Sequence, residues 1–233
     1  MSETTREGYG GTGPGARTPD GCSVDLYRRL PVGEEPDIIA AAVPAGARIL
    51  ELGSGAGRVT RPLTARGFAV TAVDESPQML EAVEQISGVR TVRSSIEKLA
   101  LDETFDVVML ASYLVHFSDP QVRDAMLRTC RRHVTDDGCV LIQREGLDWH
   151  TRLPRERDDG AGGTIRIRSA APAGDGVDTL FCEYIYPDAT WTQTFQSRAL
   201  TKEEFEHHLD EAGLYVDKYL TDDGTWVRVL PRR

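Results

Sequence analysis

Arg48-Ile49-Leu50-Glu51-Leu52-Gly53-Ser54-Gly55-Ala56-Gly57-Arg58 begins as a short apolar run and then breaks into three glycines at alternate positions. The run reads as a buried strand, and residues 59–66 behind it are competent to form a helix. A strand, a glycine-rich turn and a helix in that order bring exposed backbone N–H groups up to a ligand, because glycine has no Cβ to hold it off.

Working outward, the pattern repeats. Residues 68–73 are a second apolar strand ending on Asp74, and Ser76-Pro77 is a credible start for a helix running to about residue 87. Strands are predicted over 89–92, 105–110 and 139–143, with a helix from Asp119-Pro120 through His133 before the last of them. Upstream, residues 23–30 and 37–43 suit two helices. Short apolar strands alternating with helices imply parallel crossovers and a sheet covered on both faces. The rhythm stops after Gln143. Residues 164–169, 179–186 and 190–198 alternate in character, so 144–199 reads as an antiparallel β insertion: a substrate cap, a subunit interface for a homodimer, or simply a small packed sheet. A helix from Thr201 and a closing hairpin over 214–220 and 225–230 follow. Residues 1–22 hold almost nothing large and apolar and are expected to be a disordered tail ahead of one domain, 23–233.

The chain has 233 residues, 40% of them hydrophobic and 27% charged, which suits an ordinary globular domain. A formal charge of −10 disfavours broad contact with nucleic acid or an anionic membrane, since phosphate contacts need a basic surface. No run approaches the roughly 18 apolar residues of a membrane span, and no apolar signal segment is read near the N-terminus. The four cysteines show no metal spacing and read as reduced thiols, so a cytoplasmic protein with no bound metal is expected.

The glycine spacing selects the ligand. A dinucleotide fingerprint is G-x-G-x-x-G, and counting from Gly53 its sixth position falls on Arg58. An NAD(P)-dependent oxidoreductase is therefore the weaker reading. Glu51-Leu52-Gly53-Ser54-Gly55-Ala56-Gly57, with Val73-Asp74 closing the next strand, instead resembles motif I and the following acid of class I S-adenosylmethionine-dependent methyltransferases. The resemblance covers roughly residues 31–143. It implies a Rossmann-like, doubly wound α/β fold with a mostly parallel seven-stranded sheet. It also implies that Gly53, Ser54, Gly55, Gly57 and Arg58 lie under the methionine part of S-adenosylmethionine. Asp74 would take the ribose hydroxyls, Glu75 beside it is a further cofactor-binding residue, and Glu51 would favour the cofactor's cationic groups. Ser76 and Met79 would border the adenine, Met79 as a soft apolar surface. The family's adenine-binding acid after the third strand aligns with Ser95, followed by Ile96, a departure that removes a charge. Tyr27 could fold over the cofactor.

Residues 106–117 resemble the family's motif IV in its small-molecule form, without the [DN]-P-P-[YFW] pattern of nucleic-acid amino methyltransferases. Ala111 and Tyr113 would then pass near the sulfonium. His116 suits a general base for an attacking amine or hydroxyl, or alternatively packs and orients the following loop. Tyr113, His116, Glu145 and Trp149 are the expected acceptor contacts. The resemblance thus implies methyl transfer to N, O or C of a small molecule, releasing S-adenosylhomocysteine. A chain of the same fold that binds the cofactor without methylating, or a cyclase, stays open.

Overall fold

The computed structural model describes residues 5–146 and 148–232. They fall into two compact units, a smaller one of residues 5–32 and 148–199 and a larger one of 33–146 and 200–232. In chain order the smaller unit begins with β1 (Gly10–Thr12) and α1 (Val24–Arg29). The larger unit then runs α2 (Glu35–Ala42), β2 (Arg48–Leu52), α3 (Thr60–Ala65), β3 (Ala69–Asp74) and α4 (Pro77–Val83). It continues with β4 (Arg90–Arg93), β5 (Phe105–Leu110), α5 (Pro120–His133) and β6 (Val134–Gln143). Next come β7 (Arg155–Asp158), β8 (Thr164–Gly174), β9 (Val177–Ile185) and β10 (Thr190–Arg198) of the smaller unit. The larger unit closes with α6 (Lys202–Glu211), β11 (Leu214–Tyr219) and β12 (Trp226–Pro231).

The seven strands of the larger unit pair in the order β11-β12-β6-β5-β2-β3-β4. Strands β4, β3, β2, β5 and β6 are parallel, and β12 and β11 return antiparallel. This is the doubly wound α/β sheet with a closing hairpin that the alternation of elements predicts. Its two faces divide the strand residues with period two. Leu50 and Leu52 of β2 and Val108 and Leu110 of β5 join one core with Leu127 of α5 and Phe205 of α6. Ile49, Val107 and Met109 point the other way and pack with Ile39 of α2 and Leu63 of α3. Both faces are dry, so the strands read as continuous apolar runs.

Helix starts follow the cap residues. The Ser76 hydroxyl accepts the Met79 N–H, and the Asp119 carboxylate accepts the N–H groups of Gln121 and Val122. Thr201 and Glu204 form a reciprocal capping box. Strand β6 begins earlier than the Asp137-Gly138 turn suggests. Phe105 pairs with Val134 and Val107 with Cys139, so residues 135–138 bulge out of the ladder. Gly138 allows this, since a Cβ there would lie 2.6 Å from the Asp106 carbonyl oxygen.

The smaller unit is a five-stranded antiparallel sheet, β1-β10-β9-β8-β7. The three strands expected over the insertion are present, and β1 and β7 are additional. An unstructured tail to residue 22 does not describe residues 5–22. Gly10–Thr12 pairs with Thr192–Thr194 of β10, the Trp191 indole N–H donates to the Pro14 carbonyl, and Thr18 and Cys22 are buried. Residues 1–4 lie outside the described residues. The insertion's sheet takes up residues 148–199, while Arg144 and Glu145 stay with the larger unit.

All four cysteines lie outside disulfides and are buried, Cys22 and Cys182 in the smaller unit, Cys130 and Cys139 in the larger. Burial pushes the Cys130 thiol up to about 12. No helix among the described residues is long and apolar enough to cross a membrane.

Candidate functional site

From β2 the sheet extends through β3 and β4 on one side and through β5 and β6 on the other. The crossovers therefore leave in opposite directions, and the carboxyl ends of β2 and β5 mark the switch point at which open α/β sheets bind their ligands. The glycine turn follows β2, and residues 111–113 follow β5. The segments singled out by sequence meet at this switch point.

Gly53, Gly55 and Gly57 have φ of 72°, 54° and 82°, which glycine alone adopts freely. A Cβ at Gly53 would lie 2.8 Å from Leu114 Cδ1, and one at Gly57 would lie 3.0 Å from Ile86 Cδ1. The turn differs from the expected array of free donors. The Gly53 and Ser54 N–H groups both donate to the Val73 carbonyl at 2.9 Å, and Gly57 N–H donates to the Ser54 carbonyl at 3.1 Å. Gly55 N–H donates to Asp74 Oδ2 at 2.8 Å. A pyrophosphate cradle needs those donors free. Here they are engaged within the fold.

The charges nearby are negative. Glu51, 3% exposed, accepts the Thr60 hydroxyl at 2.6 Å. Burial pushes its carboxyl up to about 7 against the opposing pull of Thr60 and Arg58, and Asp74 adds to the rise. Arg58 is held by Glu35 at 2.6 Å. Burial opposes ionisation of Glu35, yet Arg58 and two backbone N–H groups hold its carboxyl below the usual range. Asp74 accepts Ser76 N–H on Oδ1 at 2.9 Å as well as Gly55 N–H on Oδ2. A carboxylate has about four acceptor positions, and these two bonds fix the orientation of the group at the end of β3. Ser54 Oγ, on the turn itself, is buried without a hydrogen-bond partner.

On the β3–β4 side, Ser94 N–H donates to the Asp74 carbonyl, which brings Ser95 and Ile96 beside the turn. Ile96 is buried, with Cδ1 3.6 Å from a Cβ at Gly53. Met79 is buried on α4, and Glu75 accepts from Arg93 through its carbonyl.

After β5, Ala111 leads into Ser112 and Tyr113, with φ of 54° and 62°. Two successive non-glycine residues in this region store strain on the order of 1–3 kcal/mol each. Ser112 N–H donates to Gln143 Oε1 at 2.9 Å. His116 is 2% exposed, and its Nε2 accepts the Glu145 N–H at 2.9 Å. A proton taken from an acceptor at Nε2 would have to displace that bond. Of the two roles expected for His116, this geometry serves orientation of the segment after β6. The Glu145 carboxylate is buried beside the ring, Oε2 lying 3.7 Å from Nδ1.

Tyr27 and Trp149 belong to the smaller unit. Tyr27 packs beside Leu26, Tyr186 and Trp191. Trp149 packs against Ile167, Leu180 and Cys182, with the Arg155 guanidinium 4.1 Å over its ring.

Residues 49–138 match a family model described as a methyltransferase domain. Over that segment the chain is similar to a methyltransferase domain. Among curated relatives, an uncharacterised methyltransferase of Mycobacterium bovis is 31% identical over 139 residues, 58% of this chain and 53% of that protein. This chain spans about half the length of the curated relatives it matches. A solved S-adenosylmethionine-dependent methyltransferase from Clostridium acetobutylicum superposes with a TM-score of 0.72 at 16% identity, covering 90% of this chain and 97% of that one. An amino pentose methyltransferase of Micromonospora echinaspora, solved with S-adenosylmethionine bound, has a TM-score of 0.64 at 22% identity, covering 86% and 89%.

Thr60, Glu35, Leu114 and Gln143 contact these segments and carry no spacing signal in the sequence. Thr60 could have been sought, as a hydroxyl in the first turn behind the motif. Gln143 could not, because its partner lies 31 residues away. Among the described residues, Asp124, His208 and Glu211 bring potential metal ligands within 4.8 Å of one another. An arginine can only donate, so the Arg123 contact at 3.1 Å makes His208 Nε2 an acceptor and leaves the ring proton on Nδ1, the atom facing both acids. That tautomer and the neighbouring cation oppose a metal there.

Proposed function

We propose that this chain transfers a methyl group from S-adenosylmethionine to a nitrogen, oxygen or carbon of a small-molecule acceptor. The observation that carries the reading is the glycine turn, whose donors at Gly53, Ser54, Gly55 and Gly57 are engaged internally while Glu51 and Asp74 flank it. Such a site favours a cation over a pyrophosphate, which argues against NAD(P). The orphan Ser54 hydroxyl, with the Asp74 carboxylate beside it, also fits a polar, diol-bearing ligand.

When bound, S-adenosylmethionine supplies a methyl group already activated by a sulfonium. In this reading Asp74, with Glu75 beside it, grips the ribose hydroxyls, and Glu51 lowers the energy of a positive charge above the turn. Arg58 is withheld from opposing that charge by Glu35. Met79, Ile96 and Ser95 border the adenine, Ser95 accepting from its amino group without a charge. Ala111 and Tyr113 face the reacting end, and Glu145 lines it from β6. His116 fixes that segment and is not assigned a proton. In-line transfer from an activated donor gains chiefly from alignment, so a dedicated base is not required.

The acceptor class is supported by the acidic composition, the absent nucleic-acid motif and the structural likeness to an amino pentose methyltransferase. A cytoplasmic location accords with the reduced cysteines. Calorimetric titration with S-adenosylhomocysteine, S-adenosylmethionine and NADH tests the cofactor. Binding of NADH alone would overturn the reading. A screen of small amines, phenols and carboxylates for methylated product tests the reaction, and cofactor binding without any product would leave a binding protein or cyclase.

A further inference from the structure

Ser112 and Tyr113 follow one another in the left-handed region, where residues with a Cβ ordinarily appear singly. What holds them there is reciprocal. Ser112 N–H donates to the Gln143 side chain, and Glu145 N–H donates to the His116 side chain, each at 2.9 Å. The turn after β5 and the end of β6 thus exchange one backbone donor for one side-chain acceptor in both directions. Both acceptors are buried, Gln143 at 9% and His116 at 2% exposure. The turn also closes on itself, His116 N–H reaching the Tyr113 carbonyl at 2.9 Å. Leu114, which this turn carries, is the residue that fills the space above Gly53.

We propose that Gln143 and His116 are positioning residues that fasten the strained Ser112–Tyr113 turn to β6 and thereby set how deeply Leu114 presses on the glycine turn. They act through two backbone N–H groups and a side chain, not by contact with the transferred methyl group. The inference rests on Gly53–Gly57 being the cofactor turn. A surface loop of no consequence would not require two buried side chains, drawn from opposite segments, to keep two residues in a disfavoured conformation. Gln143 also explains why residues at 112 and 113 need not be glycine.

The test uses the full chain with two independent readouts: amide hydrogen exchange over residues 111–116, and S-adenosylhomocysteine affinity by calorimetry. Gln143→Leu is expected to raise exchange in that segment and weaken affinity by about tenfold, the scale of one backbone donor left without its acceptor. Gln143→Glu keeps an oxygen at the same reach and should stay near wild type in both. Adding Ser112→Gly to Gln143→Leu relieves the strain at residue 112 and should recover part of the lost affinity. Should Gln143→Leu alone not fold, folding of that pair is itself the rescue, and Gln143→Glu carries the comparison. Wild-type exchange and affinity in Gln143→Leu, or no rescue by glycine, would overturn the proposal. A wild-type chain that binds no S-adenosylhomocysteine would instead remove the cofactor reading, while exchange over 111–116 still decides the role of Gln143.

Discussion

Leu114 Cδ1 stands 2.8 Å from the point a Cβ would occupy at Gly53, so the turn after β5 closes over the bare backbone of the turn after β2. Gly53→Ala meets two separate penalties there. The φ of 72° is strained for alanine, on the order of 1–3 kcal/mol, and the methyl group overlaps Leu114. We expect a lower urea midpoint and loss of cofactor binding. Leu114→Ala in the same chain should restore the steric part only, so the two substitutions will combine to less than their sum. Strict additivity would show that Leu114 does not press on the turn.

Asp74 accepts from two backbone donors on opposite oxygens. Asparagine at this position offers an oxygen to one and turns an NH₂ group toward the other. Asp74→Asn should therefore weaken S-adenosylhomocysteine by about tenfold or more, through the loosened turn as well as the lost carboxylate. Calorimetry reads the affinity, and exchange at Gly55 reads the turn. Unchanged affinity would mean the ribose is not held here.

Burial lifts Glu51 to about 7 from 4.5. Between those values the unfolded chain has released the proton while the folded chain retains it, so stability falls as pH rises from about 4.5 to 7 and levels off above. The full effect is roughly 3 kcal/mol. Glu51→Gln should flatten that slope and be the more stable chain at pH 8, measured by urea unfolding at several pH values. An identical slope in both chains would place the ionisation elsewhere.

Trp191 donates to the Pro14 carbonyl at 2.9 Å and meets Tyr186 edge to face at 5.8 Å. Trp191→Ala should cost about 3–5 kcal/mol to the smaller unit. Trypsin should then cut at Arg17 faster than in the wild-type chain, where its bridge to Ser23 and bond to the Gly13 carbonyl hold the segment. Equal cleavage of both chains would contradict an ordered segment ahead of α1.

The sheet was legible because its signals are local. Apolar runs such as Phe105–Leu110, glycines at a strand end and cap residues such as Ser76 and Asp119 each act within a few positions. Strand β1 was not legible. Its Gly-Gly-Thr offers no side-chain pattern and is a strand only because Thr192–Thr194, about 180 residues on, supplies the backbone partners. Residues 1–22 therefore looked too poor in apolar surface to order. The site divides in the same way. Gly53, Gly55, Gly57 and Asp74 were readable from their spacing, whereas the bonds from Ser112 to Gln143 and from Glu145 to His116 join segments that only the parallel pairing of β5 with β6 brings together. His116 showed a titratable group in a suggestive place. Its engagement by a backbone donor could be seen only in the folded chain.

The burial of all four thiols, two in each unit, makes the native chain silent to a cysteine reagent. Any label that enters therefore records an opening event. Cys22 and Cys182 report on one unit and Cys130 and Cys139 on the other. A short pulse of maleimide, read by mass after digestion, would time the two openings separately with no foreign probe attached, and repeating it with S-adenosylhomocysteine would show which clock the ligand slows.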